Sequence, residues 1–463
     1  MFLKRRSFFE KYNKILYLPL EIYSREYHAK LYLAYQASQR GWVIVIGPEY
    51  DINKIAQYMP PGVYFGNGFH NKAKEISKTL KKSGHNIILQ DEEGLVRWAP
   101  DLYKEYRINL EINKYTDYFL CWGKEDKEII HSTFKNLNNV KAIGNLRFDL
   151  IGSNLREVFL ENVNDIKSKY GDFVLINGNF GRTNHSNGKD YYVNDLKLRG
   201  WLDTPSKKEY QLQGIAFQKK IFDKMVELSI AIAATGQKVI VRPHPSENLD
   251  VWKKKIEGHS KYINVVRSGN IIPWLIASKF VIHNGCGTAI EGLLLDKTVI
   301  SYRPFKNPKV ETYLPNAVSV CIETEEDILN YLKNFKSNMP NASTKESLDI
   351  LDNFIKKNKF KEDASSRILD IIEKLSITKK KDRIKSIKDD VRIEIALLRT
   401  MIGKIIYKKN YLYIKKKCPN LNLKDVNKIL DFYASNKINN SKVETSRLTN
   451  DSIFISSKKK TLI

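Results

Sequence analysis

Cysteine is scarce in this sequence: four residues in 463 (Cys121, Cys286, Cys321, Cys418), scattered and without a Cys-x-x-Cys pair. That excludes a disulfide framework or a zinc ribbon and suits a reducing cytosol. Long apolar runs are lacking too. None approaches the roughly 20 residues that a membrane-spanning helix needs, and the basic stretch 1–10 has no apolar core of the signal-peptide kind. The expectation is a cytoplasmic protein, soluble or peripheral on the inner face of the plasma membrane. Acidic residues are the minority, 52 Asp and Glu against 78 Lys and Arg, for a net charge of +26. Such charge invites a nucleic-acid reading. Lys, Asn and Ile are common throughout, however, and no nucleic-acid motif with regularly spaced aromatic residues interrupts them, so no specific nucleic acid is expected. Anionic membrane surfaces and anionic substrates fit the charge equally well. No Asp-x-Asp metal motif and no internal repeat occur.

What is present, at 42% hydrophobic and 11% aromatic residues, is enough chain for two or three globular domains. Two stretches organise it. Residues 238–247 read Lys-Val-Ile-Val-Arg-Pro-His-Pro-Ser-Glu, and residues 280–292 read Phe-Val-Ile-His-Asn-Gly-Cys-Gly-Thr-Ala-Ile-Glu-Gly. Each starts as a short apolar run of the buried-strand type and breaks off into polar residues. The second resumes as a helix from Thr288. Strand, glycine turn and helix make an anion site: Gly285 and Gly287 let the backbone approach a ligand, and Thr288 sits among the unpaired amides of a first helical turn. Glu291 either stabilises the helix end or reaches a sugar diol. His244, held between Pro243 and Pro245 at a strand's carboxyl edge, can donate to a phosphate. Each stretch alone is also what an ordinary turn looks like. Together, on successive α/β units, they point to one ligand-binding cleft.

The rest of the chain alternates strand and helix. A strand at 15–19, a helix at 27–40 ended by Gly41, and a strand at 42–46 form a βαβ unit. Arg25 and Glu26 lie in its turn, either facing the cleft or making a surface turn with a capping Glu. Strands at 62–65, 85–90, 118–122 and 140–144 follow. Asp91-Glu92-Glu93-Gly94 comes directly after the second of these. Three adjacent carboxylates repel one another, so one that is partly buried should hold a proton more tightly and can take one from a sugar hydroxyl; a solvated acidic turn is the alternative. Arg147, after Asn145, either contacts a phosphate or carboxylate or pairs with Asp149.

A second α/β series opens at 173–177, with Gly178-Asn179-Phe180-Gly181 at its strand end. Residues 182–213 are polar and aromatic with little periodicity and are expected to be a long loop. A core-packed helix at 215–235 and strands at 238–242, 263–267, 280–283, 298–302 and 318–322 complete the series. Beyond residue 343 the strands stop. Residues 347–375 read as helical, and Ile384, Ile387, Val391, Ile395, Leu398, Ile402 and Ile405 mark an amphipathic helix with basic flanks, packed on a domain or lying on anionic lipid. Residues 440–463, rich in Ser, Asn and Lys, are expected to be disordered. The expected divisions are α/β domains at 1–166 and 167–345, a helical basic extension at 346–440 and a tail at 441–463.

Two α/β halves, with a carboxylate turn in the first and a His-Pro and Gly-Thr-…-Glu pair in the second, resemble the GT-B glycosyltransferase architecture. More specifically, Arg25-Glu26, Glu92-Glu93-Gly94, Trp122-Gly123, Gly144-Asn145-Leu146-Arg147-Phe148-Asp149 and His244-Pro245 resemble the motifs of bacterial surface-carbohydrate biosynthesis proteins. These act on capsule and lipopolysaccharide. Capsule Kdo transferases and bacterial sialyl- and polysialyltransferases are similar at greater distance. The resemblance spans residues 15–335. It implies two Rossmann-like domains facing a cleft, the first on the acceptor side and the second holding a nucleotide sugar. Glu92, then Glu93, would activate an acceptor hydroxyl. His244 would contact the phosphate of a donor, a CMP-linked 2-keto acid sugar, and Glu291 its ribose. Arg242, Pro245, Glu247, Gly178, Asn179, Asn284, Gly285, Gly287 and Thr288 would complete the donor side, and Arg25, Glu26, Asp91, Asn145 and Arg147 the remaining cleft. Thr288 alone follows the glycine loop, with Asn284 where related sialyltransferases carry a hydroxyl. The implied partners are the nucleotide-sugar donor, a glycan or lipid-linked acceptor and, through the basic helix, an anionic membrane; no metal or cofactor is implied. The alternatives are a CDP-glycerol-type polyol-phosphate transferase, a nucleotide-sugar 2-epimerase, and a non-catalytic protein binding nucleic acid or assembly partners.

Overall fold

The computed structural model describes residues 12–96, 100–135, 137–152, 154–259, 261–335, 345–357, 362–375, 408–436 and 442–457. The expected amphipathic helix through 384–405 lies outside the described residues. The chain forms two compact units. Met1–Glu92, Arg107–Val158 and Ile355–Ile463 belong to the first, and Glu93–Tyr106 and Phe159–Phe354 to the second.

The strands of the first unit are β1 (Ile15–Leu20), β2 (Val43–Pro48), β3 (Val63–Asn67), β4 (Asn86–Gln90), β5 (Tyr118–Cys121) and β6 (Val140–Ala142). Those of the second are β7 (Phe173–Asn177), β8 (Lys238–Arg242), β9 (Ile263–Val265), β10 (Phe280–His283), β11 (Val299–Tyr302) and β12 (Val320–Ile322). A closing hairpin, β13 (Val443–Arg447) and β14 (Ile453–Ser457), returns to the first unit.

In the first unit β1–β6 are parallel, in the order β2-β1-β3-β4-β5-β6. Every residue of β1 and β2 is buried. That is why they read as continuous apolar runs and not as alternating ones: both faces of a parallel sheet are covered. The helix Tyr23–Gln39 begins where the Glu26 carboxylate accepts the N–H groups of Glu21 and Ile22. It ends at Gly41, whose φ of +79° is the left-handed conformation that favours glycine.

The second unit has six parallel strands in the order β12-β11-β10-β7-β8-β9. This is the doubly wound Rossmann order, with its reversal between β7 and β10. The 30-residue helix Pro205–Ala234 has Thr204 as its N-cap and Pro205 at its first position. It buries Ile221, Met225, Leu228 and Ile232 in the core shared with Phe180, Phe222 and Trp252.

Three expectations are corrected. Residues 182–213 are not one long loop: they contain the helix Lys189–Leu198 and the start of Pro205–Ala234, whose polar outer faces hid the period. The described parts of the expected extension at 346–440 do not stand apart: 346–354 belong to the second unit, and 355–357, 362–375 and 408–436 to the first. The tail is not disordered over 442–457, because β14 pairs antiparallel with β2 and closes that edge of the sheet, placing Ile453, Phe454 and Ile455 in the core. No helix among the described residues is long and apolar enough to cross a membrane.

Candidate functional site

In open α/β sheets, ligands bind at the carboxyl ends of the strands where the strand order reverses. Both units place the polar residues singled out by sequence at that edge, and each is described on its own.

In the second unit the reversal lies between β7 and β10. Asn177 ends β7, and its Nδ2 donates to Thr288 Oγ1 at 3.0 Å. Two residues on, Asn179 Nδ2 donates to the Gly285 carbonyl at 3.1 Å, which also accepts the Thr312 hydroxyl. Gly285 has φ +61°, and a Cβ there would lie 2.6 Å from Thr312 Oγ1, so this position admits only glycine without rearrangement. His283, the last residue of β10, is buried, and desolvation holds its imidazole down at about 3, so it stays neutral. Its Nδ1 accepts the Cys286 N–H, and its Nε2 therefore carries the proton, 2.9 Å from Ser319 Oγ. The glycine loop is thus fixed from four sides before any ligand arrives.

The His-Pro turn follows β8, next to β7. His244 Nδ1 lies 3.2 Å from the Ser246 backbone N–H, which can only donate, and 2.8 Å from Ser246 Oγ. Nδ1 is therefore the acceptor, and the proton of half-buried His244 sits on Nε2. Pro245, also half-buried, stiffens the turn. Glu247 is wholly buried and accepts the N–H groups of Phe180 and His244 and the indole N–H of Trp252. Burial pushes its carboxyl up, and the hydrogen bonds pull the other way. Gly178 is the residue that lets this carboxylate in: a Cβ there would stand 2.7 Å from Glu247 Oε1.

The other donor-side residues singled out by sequence make the following contacts. Arg242 is buried, donates to the carbonyls of Ser268, Arg267 and Gly269, and stacks on Trp274; desolvation lowers its guanidinium to about 9. It braces the strand ends. Glu247 shapes the His244 turn from beneath. Asn284 Nδ2 donates to the Tyr302 carbonyl at 2.8 Å. The Thr288 hydroxyl, besides accepting from Asn177, donates to Cys286 Sγ, and Gly287 packs against Val96. Glu291 is buried in the short helix Thr288–Leu294. Sequence reasoning missed Ser246, although a hydroxyl two residues after a histidine is the signal of such a turn, and it missed Asn177.

In the first unit the reversal lies between β1 and β3, and the residues at their carboxyl ends are Glu21 and Asn67. Asn67 Nδ2 donates to Glu21 Oε2, and its Oδ1 accepts the Glu92 backbone N–H at 3.0 Å. Glu92 is buried; its Oε2 accepts from Asn145 Nδ2 at 3.4 Å and lies 3.8 Å from Arg147 Nε. The Arg147 guanidinium lies over the Trp122 ring, 5.1 Å from its centroid. Asn145 also caps the turn Leu146–Asp149 by accepting the Arg147 N–H.

The acidic turn is therefore not three carboxylates facing one another. Asp91 is buried and paired with Arg107 at 2.9 Å, Glu92 faces Asn145 and Arg147, and Glu93 is half-buried at the start of a segment of the second unit. Glu26 is a buried helix cap bonded to Lys30 at 2.9 Å and Arg25 at 3.2 Å. Burial pushes its carboxyl up, but the two cations more than offset that and hold it at about 2. Arg25 stays at the edge, 3.9 Å from Glu21 Oε2. Arg147 Nε lies 3.8 Å from Glu92 Oε2, and Asp149 accepts from residues 364 and 365.

No protein-family model and no curated protein matches the sequence. Among solved structures, UDP-GlcNAc 2-epimerase of Methanocaldococcus jannaschii with UDP-GlcNAc and UDP is similar at TM-score 0.44 and 13% identity, over 78% of this chain and 99% of that one. HepE of Anabaena with UDP and glucose is similar at TM-score 0.44 and 10% identity, over 78% and 100%. A histidine-to-alanine variant of the wall teichoic acid polymerase TagF is similar at TM-score 0.49 and 13% identity, over 81% and 93%.

Proposed function

We propose that this protein is a glycosyltransferase of the GT-B type that acts in surface polysaccharide biosynthesis, in capsule, lipopolysaccharide or O-antigen. It takes a sugar from a nucleotide donor, a CMP-linked 2-keto acid sugar, and passes it to a hydroxyl of a glycan or lipid-linked acceptor at the inner face of the plasma membrane. The observation that carries this reading is His244. Its Nδ1 accepts from Ser246, which puts a proton on Nε2 that can be donated to a leaving phosphate, and its turn ends β8 at the same carboxyl edge of the Rossmann sheet as the glycine loop after β10.

In the reaction, the acceptor oxygen bonds to the anomeric carbon as the bond from that carbon to the phosphate oxygen breaks. The electron pair leaves with the nucleotide, which the His244 Nε2–H stabilises. A carboxylate of the first unit takes the acceptor proton; Glu92 is the sequence-based assignment.

Thermal stabilisation of wild type and His244→Ala by CMP, CDP, UMP and UDP tests the reading. A ligand at about a hundred times its dissociation constant adds roughly 2.7 kcal/mol. Stabilisation by CMP that disappears in His244→Ala is the expected result, together with a loss of roughly two decades or more in turnover. Stabilisation by CDP alone moves the assignment to polyol-phosphate transfer, and stabilisation by no nucleotide overturns the reading.

A further inference from the structure

The proton-accepting carboxylate need not be the one that sequence motifs single out. A group that takes a proton from an acceptor must touch that acceptor. Glu92 is ill placed for this, with a side chain only 5% exposed and its carboxylate turned to Asn145 and Arg147. Glu21 differs in its exposure. Its side chain is 35% exposed, and it stands at the carboxyl end of β1, where the strand order of the first unit reverses. Asn67, from the other strand of that reversal, donates to one Glu21 oxygen, and Arg25 lies near the same atom. This holds the carboxylate in one orientation. Asn67 is also the link to the acidic turn, since its carbonyl oxygen accepts the Glu92 N–H.

We propose that Glu21 is the carboxylate that accepts the acceptor's proton, that Asn67 and Arg25 orient it, and that Glu92 is a positioning residue that holds Asn145 and Arg147. The inference rests on the glycosyl-transfer reading. The step balances simply: the acceptor oxygen forms its bond to the anomeric carbon, its proton passes to a Glu21 oxygen, and the electron pair of the broken bond leaves on the nucleotide phosphate. Water can take the acceptor's place, which yields a probe that needs no known acceptor.

The experiment measures nucleotide release into water by the full chain from CMP-N-acetylneuraminate, CMP-Kdo, CDP-glycerol, UDP-glucose and UDP-GlcNAc. Glu21→Gln is expected to slow release by about 100-fold or more, with nucleotide-induced stabilisation of the protein unchanged. Glu92→Gln is expected to slow it clearly less. If Glu21→Gln does not fold, Glu21→Asp carries the test, and a slowing of about tenfold or more at unchanged donor KM is expected. Release by Glu21→Gln, or by Glu21→Asp where that variant stands in, at close to the wild-type rate overturns the inference, as does a Glu92→Gln loss equal to or larger than that of Glu21→Gln. A wild type that releases nucleotide from none of the five donors overturns the glycosyl-transfer reading, and the role of Glu21 falls with it.

Discussion

Asp149 bonds to Ser365 twice. Its Oδ2 accepts the Ser365 backbone N–H at 2.9 Å and the Ser365 hydroxyl at 2.6 Å, while Oδ1 accepts the Ala364 N–H. The carboxylate thereby caps the helix Ala364–Ile372 from 216 residues away in sequence. Asp363, the helix's own N-cap, sits close by and bonds to Tyr32 and Gln36.

This pair makes a pH prediction. Burial first, and then the charge of Asp363, raise the Asp149 carboxyl from its usual 3.8 to about 6. A carboxyl raised in the folded state binds its proton more tightly there than in the unfolded chain. Its contribution to stability is therefore complete below about pH 4 and is lost as pH rises through 6. Asp363→Asn removes the neighbouring charge and is expected to bring the Asp149 midpoint down, as read from the carboxyl carbon by NMR titration. An unmoved midpoint contradicts the coupling.

Glu247 is expected to be the most costly single loss in the second unit. Glu247→Ala strands three buried donors, from Phe180, His244 and Trp252, and should cost roughly 3–5 kcal/mol in urea denaturation. Glu247→Gln keeps the shape and one acceptor, and should cost less.

The glycine loop gives a paired prediction. Gly285 and Gly41 both have positive φ, but a Cβ at 285 meets Thr312 and a Cβ at 41 meets open space. Gly41→Ala should cost only the conformational penalty of about 1–2 kcal/mol. Gly285→Ala should cost more by denaturation, and should also abolish nucleotide-induced stabilisation, because the loop must move.

The closing hairpin is testable by removal. A chain ended at residue 441 leaves the hydrogen-bonding edge of β2 bare, and such an edge is a template for pairing with a second molecule. Self-association, seen by size-exclusion chromatography with light scattering, is the expected result. Within the intact chain, Ile455→Ala removes a wholly buried side chain and should cost about 2–5 kcal/mol.

The parts of the fold that could be read from the sequence are those whose evidence is local. β1, β8 and β10 each carry an apolar run of three or more residues followed by polar residues, because a parallel strand is buried on both faces and ends at a ligand edge. β14 could not be read in this way. Its apolar core is three residues long, inside a Ser- and Lys-rich stretch, and its partner β2 lies about 400 residues earlier, where Tyr50 now meets Asp451. The site divides similarly. Sequence located His244 and Gly285 but did not separate them from Arg242 and Glu247, which are equally polar and lie in or beside the same turn. Burial makes that separation: Arg242 and Glu247 are turned inward onto backbone groups, and His244 stays half-buried in the turn, with Nδ1 accepting from Ser246. Glu21 was passed over because no motif marks it; only the strand order gives its position meaning.

The first unit is built from three separate lengths of chain, and the strand that closes its sheet is the last described element. During translation the second unit has all of its strands once residue 322 has left the ribosome. The first must wait more than a hundred residues longer, with the edge of β2 open and the helix at 364 not yet capped by Asp149. A newly made chain therefore passes through an interval in which its Rossmann-ordered half has all of its strands while its amino-terminal half still carries an open strand edge, and in that interval chaperones that cover bare strand edges have a place to bind.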